Sequence, residues 1–338
     1  MVTEHAAATS RSRGSWRPVA GAVLGLTVLL SVLLTAFAWP AANSEPRDVA
    51  LAVAAPAPVA AQVEQGLAAG AGSEAFGVTR VADRAAAVAA IEDREVYGAL
   101  VLGPNGAEML TASAASPVVA QLLGQVAARL PVDPAAGSPT VTDVAPLPAD
   151  DPRGAGLAAG SLPLVLGGIA AAAVLTFRVQ GTGRRLAGAL GFAAAGGLAM
   201  TAILQFWLGS LDGSYWLNSA VVALAVGATA TVVLALERLF GFAGLGLGAA
   251  VMLLLGNPLS GIASAPELLP AGWGAFGQLL PPGAAGTALR SFAFFDGAGA
   301  GPALLVLGCW LVAGLALFAV PVRRRSRVQL PDAEPVAV

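Results

Sequence analysis

Apolar residues follow two rhythms along this chain. In the first, charge almost disappears over long stretches: Val19–Ala38, Leu162–Phe177, Leu186–Leu208, Tyr215–Leu236, Leu239–Gly256 and Ala303–Val320. Each approaches the ~20 consecutive apolar residues that carry a helix across a bilayer core. Six transmembrane helices are therefore expected. The second rhythm fills the interval between the first two stretches. Asp48–Val53, Phe76–Val81, Val96–Leu102, Glu108–Ala112 and Val141–Leu147 read as short strands. Pro58–Ala69, Asp83–Asp93 and Pro117–Leu130 read as helices between them. Ala85, Val88, Ala89 and Ile91 are the apolar positions of the second helix, and Val118, Leu122, Val126 and Leu130 make an i+4 stripe on the third. Gly103-Pro104-Asn105-Gly106 is a turn, and Pro131–Pro139 and Pro146–Gly156 are linkers. Such alternation implies a small α/β domain.

The implied fold class is an α-helical integral membrane protein. It has six transmembrane helices and a small α/β extracytoplasmic domain inserted between the first and second. The expected divisions are a cytoplasmic tail at 1–17, helix 1 at 18–39 and the extracytoplasmic domain at 41–155. Helices 2–5 occupy 160–256, helix 6 occupies 303–321, and a second cytoplasmic tail occupies 322–338. The remaining segment, 257–300, is the least regular. Asn257-Pro258 breaks the preceding helix, and Pro266, Pro270, Pro281 and Pro282 punctuate the residues beyond the break. Leu269, Trp273, Phe276 and Leu280 recur at helical steps, which predicts a short amphipathic helix, interfacial or re-entrant.

Charge fixes an orientation. With the N-terminus in the cytoplasm, the inner segments hold Arg11, Arg13, Arg17, Arg178, Arg184, Arg185, Arg238, Arg323, Arg324, Arg325 and Arg327. Their acids are only Glu4, Glu237, Asp332 and Glu334, as the positive-inside rule requires. Both termini are thus expected in the cytoplasm and the chain in the plasma (inner) membrane. The first apolar stretch also has a signal-peptide reading, because Ala36-Phe37-Ala38 resembles a cleavage site. Its length and the Gly21/Gly25 spacing, suited to helix packing, favour a retained span.

Composition agrees and removes several chemistries. Hydrophobic residues make up 57% of the chain and charged residues 11%, against about 25% charged in soluble domains. All 18 basic residues are arginine, so a lysine-dependent phosphate loop is excluded. His5 is the sole histidine and Cys309 the sole cysteine, which excludes an intrachain disulfide and His/Cys zinc sites. No cofactor is expected in this chain and no enzymatic constellation is visible.

The spans offer little polarity beyond Gln205 and Asn218. Gln205 reads either as an interfacial hydrogen-bonding residue or as part of a substrate path. Gly244, Gly246, Gly248 and Ala249 fit a loose dinucleotide fingerprint, but no strand precedes them. Gly244 and Gly248 are better read as a helix-packing face. Arg178, Arg184 and Arg185 flank Gln180–Gly183, as membrane anchors or as a loop that docks a partner. Arg290, Glu267 and Asp296 fall outside the membrane, as solvated loop charges or as the gate of an exit.

The layout of one helix, an extracytoplasmic insert, then five helices with a broken segment before the last resembles the membrane subunits of type-2 ABC exporters. It is nearest the phage-infection-protein-like branch of these bacterial proteins. Two texts carry the resemblance: Ala86–Leu102, leading into Leu102-Gly103-Pro104, and Asn257-Pro258 through Leu279-Leu280-Pro281-Pro282-Gly283-Ala284, with Ala288-Leu289-Arg290 beyond. The family's insert is often longer and carries coiled-coil segments that this chain lacks. The resemblance implies a permease without its own ATPase, paired with a nucleotide-binding ATPase subunit through the loop around Arg178, Arg184 and Arg185. It implies a homodimer or heterodimer of permease subunits, contact with membrane lipid, no nucleic acid, and a lipidic, amphipathic or polymeric cargo. Asn257, Pro258, Trp273, Phe276, Pro281, Pro282 and Arg290 would belong to the re-entrant or exit segment. The competing expectation is a non-transporting envelope protein whose extracytoplasmic domain binds a surface partner as receptor or scaffold.

Overall fold

A computed structural model describes residues 16–103, 106–129 and 139–321. The arginines expected in the two tails (Arg11, Arg13, Arg323, Arg324, Arg325 and Arg327), most of the first linker and the centre of the Gly103–Gly106 turn lie outside the described residues.

Helix α1 (Arg17–Ala42) is apolar on every side. Its Thr27 and Ser31 hydroxyls bond back to the carbonyls of Val23 and Thr27 at 2.8 and 2.9 Å, so neither stands unpaired on an apolar surface. The α/β domain comes next as β1 (Val49–Ala54), α2 (Ala57–Ala71), β2 (Phe76–Arg80), α3 (Arg84–Glu92), β3 (Gly98–Gly103), β4 (Gly106–Thr111), α4 (Pro117–Arg129) and β5 (Thr140–Asp143). The strands lie in the order β2-β1-β3-β4-β5, with only the β3–β4 pair antiparallel. Strand β1 is covered on both faces and reads as an unbroken apolar run for that reason. Alternation sorts its side chains: Val49, Leu51 and Val53 face α2 and α4, while Ala52 faces α3.

Two apolar stripes differ from expectation. On α4 the buried residues are Val119, Leu123 and Ala127, one position beyond the predicted set, and Val118 is exposed. Leu122 and Val126 are displaced sideways, onto an apolar cavity of about 370 Å³ between α2 and α4. On α3 the buried set is Ala87, Ala90 and Ile91, and Ala85 and Ala89 face out. In an alanine-rich helix the apolar positions outnumber the buried ones, so the pattern underdetermines the face.

The helical part comprises α5 (Ala155–Arg178), α6 (Thr182–Ala202, continued by a π turn to Trp207), α7 (Tyr215–Phe240), α8 (Phe242–Ala250, continued by a π turn to Gly256), α9 (Trp273–Gln278), α10 (Pro281–Phe294) and α11 (Gly301–Ala319). Asp151 starts α5 by accepting from the amides of Ala155 and Gly156 at 2.8 and 2.7 Å. Helix α7 is the central post, with most of its apolar length buried. Its neighbours approach through small residues. A β-carbon at Gly197 of α6 would lie 2.6 Å from the Ser219 carbonyl, and one at Gly168 of α5 would lie 2.8 Å from Thr229. Close backbone approach is how helices pack where no hydrophobic drive separates them from lipid.

Among the described residues, five helices are long and apolar enough to cross a membrane: α1, α5, α6 with its π turn, α7 and α11. This marks a multi-pass helical membrane protein. The remaining expected stretch, the fifth, is shorter than the others, covering Phe242–Gly256. Of the two readings of the break, at Glu237-Arg238 or at Glu237–Phe242 with a shortened fifth helix, the structure agrees with the shortened helix, although the turn itself falls only at Gly241. Glu237 and Arg238 remain helical, Glu237 paired with Arg185 at 3.4 Å and Arg238 bonded to the Val320 carbonyl at 3.2 Å. The turn is made by Gly241, whose φ of 65° lies in the region glycine tolerates.

The segment after Gly256 also differs from expectation. No single amphipathic helix joins Leu269 to Leu280. Pro266–Leu268 forms a 3-10 turn, α9 holds only Trp273–Gln278, and Pro281 begins a separate buried helix, α10. Leu269 and Leu280 are 7% and 5% exposed, whereas Trp273 and Phe276 are 39% and 41% exposed. Proline at 270 and 281 resets the helical phase between them. The segment enters both cores of the α/β domain. Ala265 and Leu268 join the α2/α4 side, and Phe295 joins the α3 side.

Two outcomes test this packing. A β-carbon at Gly98 would lie 2.5 Å from both the Leu110 carbonyl and Leu123, whereas Gly103 has open space. Gly98→Val should therefore destabilise the full chain by about 1–3 kcal/mol in detergent thermal unfolding, and Gly103→Ala should change it little. Glu108 accepts from Arg84 at 2.8 and 3.0 Å and from Thr142 at 2.9 Å, joining α3, β4 and β5. Arg84, more than Thr142, holds this carboxyl below its usual range. Its stabilisation is complete above the unfolded value of about 4.3 and disappears as pH falls through the lowered folded one. The unfolding temperature of Glu108→Gln should fall less than that of wild type on acidification through that window.

Candidate functional site at the domain junction

A cleft of about 920 Å³ opens where the α/β domain meets the 257–300 segment. The connection from α3 to β3 supplies its domain wall. Arg94 adopts a φ of 60° there, turning the chain just before Tyr97 and β3. The facing wall comes from Ser260–Ile262, Pro266–Glu267, Gln278 and the α10 residues Thr287 and Arg290.

The polar groups of the two walls interlock. Tyr97 donates its hydroxyl to Glu267 at 2.7 Å. Arg94 donates to the Thr287 carbonyl at 3.2 Å and the Ser291 hydroxyl at 2.7 Å, and lies over the Phe295 ring at 5.2 Å. Arg290 donates to the Ile262 carbonyl at 3.0 Å. Gln278 donates to the Ser260 carbonyl at 2.9 Å and accepts from Thr287 at 2.7 Å. Burial lowers the Arg94 pKa, against the opposing pull of Tyr97 and Glu267. Burial, then the Glu267 charge and hydrogen bond, push the Tyr97 phenol far up, so it stays a protonated donor. These groups suit the holding of a charged or strongly polar ligand.

The sequence left Arg290 and Glu267 either as solvated loop charges or as the gate of an exit, and the solvated reading is the one the burial bears on. That reading is corrected: Arg290 is 7% exposed and Glu267 is half-buried against Tyr97. Asp296 is exposed. Pro281 and Pro282 open α10 and are buried, Pro282 against Gly256. Asn257 and Pro258 come just after the π turn, and the Asn257 side-chain oxygen is buried without a partner. Trp273 and Phe276 sit outside the cleft, where Trp273 meets Trp39 of α1 edge-on at 5.8 Å.

The other candidate residues lie elsewhere. Arg178 ends α5 and Arg184 begins α6, both exposed and without a hydrogen bond or ion pair among the described residues. Arg185 is committed: it donates to the carbonyls of Thr176 and Val179 at 2.9 and 2.8 Å and pairs with Glu237. Gly21 and Gly25 face open space. Gly244 lies against the Leu236 carbonyl, and a β-carbon at Gly248 would sit 3.1 Å from Val233. Gln205 donates to the Gly213 carbonyl at 2.9 Å and accepts from Asn218 at 3.3 Å, bracing the turn between α6 and α7.

Arg94, Tyr97, Gln278, Thr287 and Ser291 carry the cleft but did not stand out in sequence. Arg94 closes a charged run, Glu92-Asp93-Arg94-Glu95, that reads as a solvated turn. One signal was available: Arg290 is the sole charge within Pro281–Phe294, and a lone cation in an apolar helix is costly to keep there. Fold and cleft together define a multi-pass helical membrane protein with a ligand-sized cleft under its α/β domain. No protein-family model, no curated protein and no solved structure matches the chain.

The Tyr97–Glu267 bond bridges the two walls directly. A double-mutant cycle with Tyr97→Phe and Glu267→Gln, read by thermal unfolding of the full chain, should give a coupling energy of about 1–2 kcal/mol. Additive effects would show that the bond contributes nothing to domain attachment.

Proposed function

We propose that the chain is the permease subunit of an ATP-driven exporter of the type-2 ABC class. It would move a lipidic, amphipathic or polymeric substrate across the plasma membrane, with ATP hydrolysed on a separate subunit. The observation that carries this reading is the absence of acidic or basic side chains from the middle of the described membrane spans; the buried Arg290 belongs to α10, outside those spans. Arg17, Arg178, Arg184, Arg185, Glu237 and Arg238 all lie in the end turns of their helices, and none of the described spans holds a charge between its ends. A proton-coupled carrier needs a titratable relay within the membrane. A bundle without one takes its energy from outside, and a chain without lysine has no standard phosphate loop to supply it.

Three further features support the reading. Taking the short apolar helix Phe242–Gly256 as a fifth span gives an even number of crossings, consistent with the charge-based expectation of cytoplasmic termini and an external α/β domain. Among the described residues, the most apolar 18-residue window of α1 buries none of its side chains, leaving Gly21 and Gly25 open to a second permease subunit. Arg178 and Arg184 are exposed beside the α5–α6 turn, where a cytoplasmic ATPase would dock. The likeness to the exporter family remains an analogy of layout. A second reading, a non-transporting envelope receptor, draws on the junction cleft, which offers a binding site without a transport path.

Affinity purification from native membrane, with mass spectrometry and an ATPase assay on the eluate, separates the two. A stoichiometric P-loop ATPase is expected, and Arg178→Glu with Arg184→Glu should reduce its recovery about tenfold, the scale of a few charge-assisted contacts. Arg185 is left intact because it holds helix ends together. A homo-oligomer free of any ATPase would overturn the exporter reading and favour the receptor.

A further inference from the structure

The inner end of the junction cleft holds two arginines, Arg94 and Arg290, with one acid, Glu267. Arg290 is 7% exposed, makes one hydrogen bond, to the Ile262 carbonyl at 3.0 Å, and keeps its Nε buried without a partner. Arg94 lies beside it, and its two hydrogen bonds go to neutral groups of α10. Glu267 is the acid within this inner group, and it already receives the Tyr97 hydroxyl. The other acids of the cleft, Asp48, Glu74 and Glu95, are exposed at its rim. A buried cation with an unmet donor is costly unless paired. The missing component is therefore negative, and the planar fork of a guanidinium fits a carboxylate or a phosphate.

The surroundings favour an amphiphile as the carrier of that charge. Helix α9 separates the cleft from an exposed aromatic face. Gly274 and Gln278 line the cleft, while Trp273 and Phe276 point outward and Trp39 packs beside them. Trp207 and Trp216, 79% and 72% exposed, flank the same end of the bundle at the α6–α7 turn. Exposed tryptophans at the end of a membrane bundle are characteristic of the zone where headgroups meet water. We propose that the cleft binds the anionic headgroup of an amphiphile, a phosphate monoester or carboxylate, with Arg290 as its principal donor, Arg94 beside it and the apolar chains lying outside α9. The inference concerns binding alone and does not rest on coupling to an ATPase.

The test uses the full chain in an uncharged, phosphate-free detergent. Tryptophan fluorescence and the unfolding temperature are followed while dioctanoyl phosphatidic acid is added below its micelle concentration. Dioctanoylglycerol and inorganic phosphate are the parallel arms. Saturable binding of the phosphatidic acid, displaced by phosphate and absent for the glycerol, is expected. Arg290→Lys keeps the charge but loses the fork and should weaken binding about tenfold. If that variant fails to fold, Arg94→Gln serves instead and should weaken it similarly. Phosphate binding with no tighter capture of phosphatidic acid would place a free anion in the cleft and overturn the amphiphile. Equal binding of phosphatidic acid and dioctanoylglycerol, or wild-type affinity in a folded variant, would overturn the site itself.

Discussion

The arrangement depends on how one irregular stretch of backbone, Ser260 to Leu269, satisfies its carbonyl groups. Local turns satisfy Gly261, Ala265 and Pro266, but Ser260, Ile262, Ser264, Glu267, Leu268 and Leu269 need donors from elsewhere, and near a bilayer an unpaired carbonyl is costly. The donors come from two directions. From the α/β side, the Glu45 and Arg47 amides reach Leu268 and Glu267 at 3.2 and 2.9 Å, the Arg47 guanidinium reaches Leu269 at 2.9 Å, and the Ser116 hydroxyl reaches Ser264 at 2.7 Å. From the helical side, Gln278 and Arg290 reach Ser260 and Ile262. Neither module could bury this stretch alone. The sheet domain and the bundle are thereby set in one relation, and the cleft is the space left between them.

This explains why the parts of the chain were unequally legible in its sequence. The strands and helices of the α/β domain obey local rules, period-2 alternation and turn residues, and they stand nearly where the pattern put them. The four-residue β5 falls furthest short of its predicted run, while β2, β3 and α3 are shorter by one or two residues. Five of the six apolar stretches are likewise long helices. The fifth stretch contained enough apolar residues, but composition does not reveal that Glu237 and Arg238 find partners which keep the preceding helix intact to Phe240.

The cleft was the least legible feature because its residues are made significant by distance. Arg94 and Ser291 lie 197 positions apart, and Tyr97 and Glu267 lie 170 apart. Each looks ordinary beside its sequence neighbours. The periodic Leu269, Trp273, Phe276 and Leu280 were misleading for the opposite reason. Their spacing is regular, but Pro270 after the first and Pro281 after the last change the direction of the chain, and the outer two members face protein while the middle two face outside.

At the far end of the bundle, Arg185 joins what the short Val179–Gly181 turn already brings close. It closes the last carbonyls of α5, belongs to the first turn of α6 and pairs with the last turn of α7. Three helix ends are thus riveted at one point, and α7 runs from there, through the centre of the bundle, to the side that carries the cleft. A push on that corner would be shared by all three rods, with α7 as the longest lever.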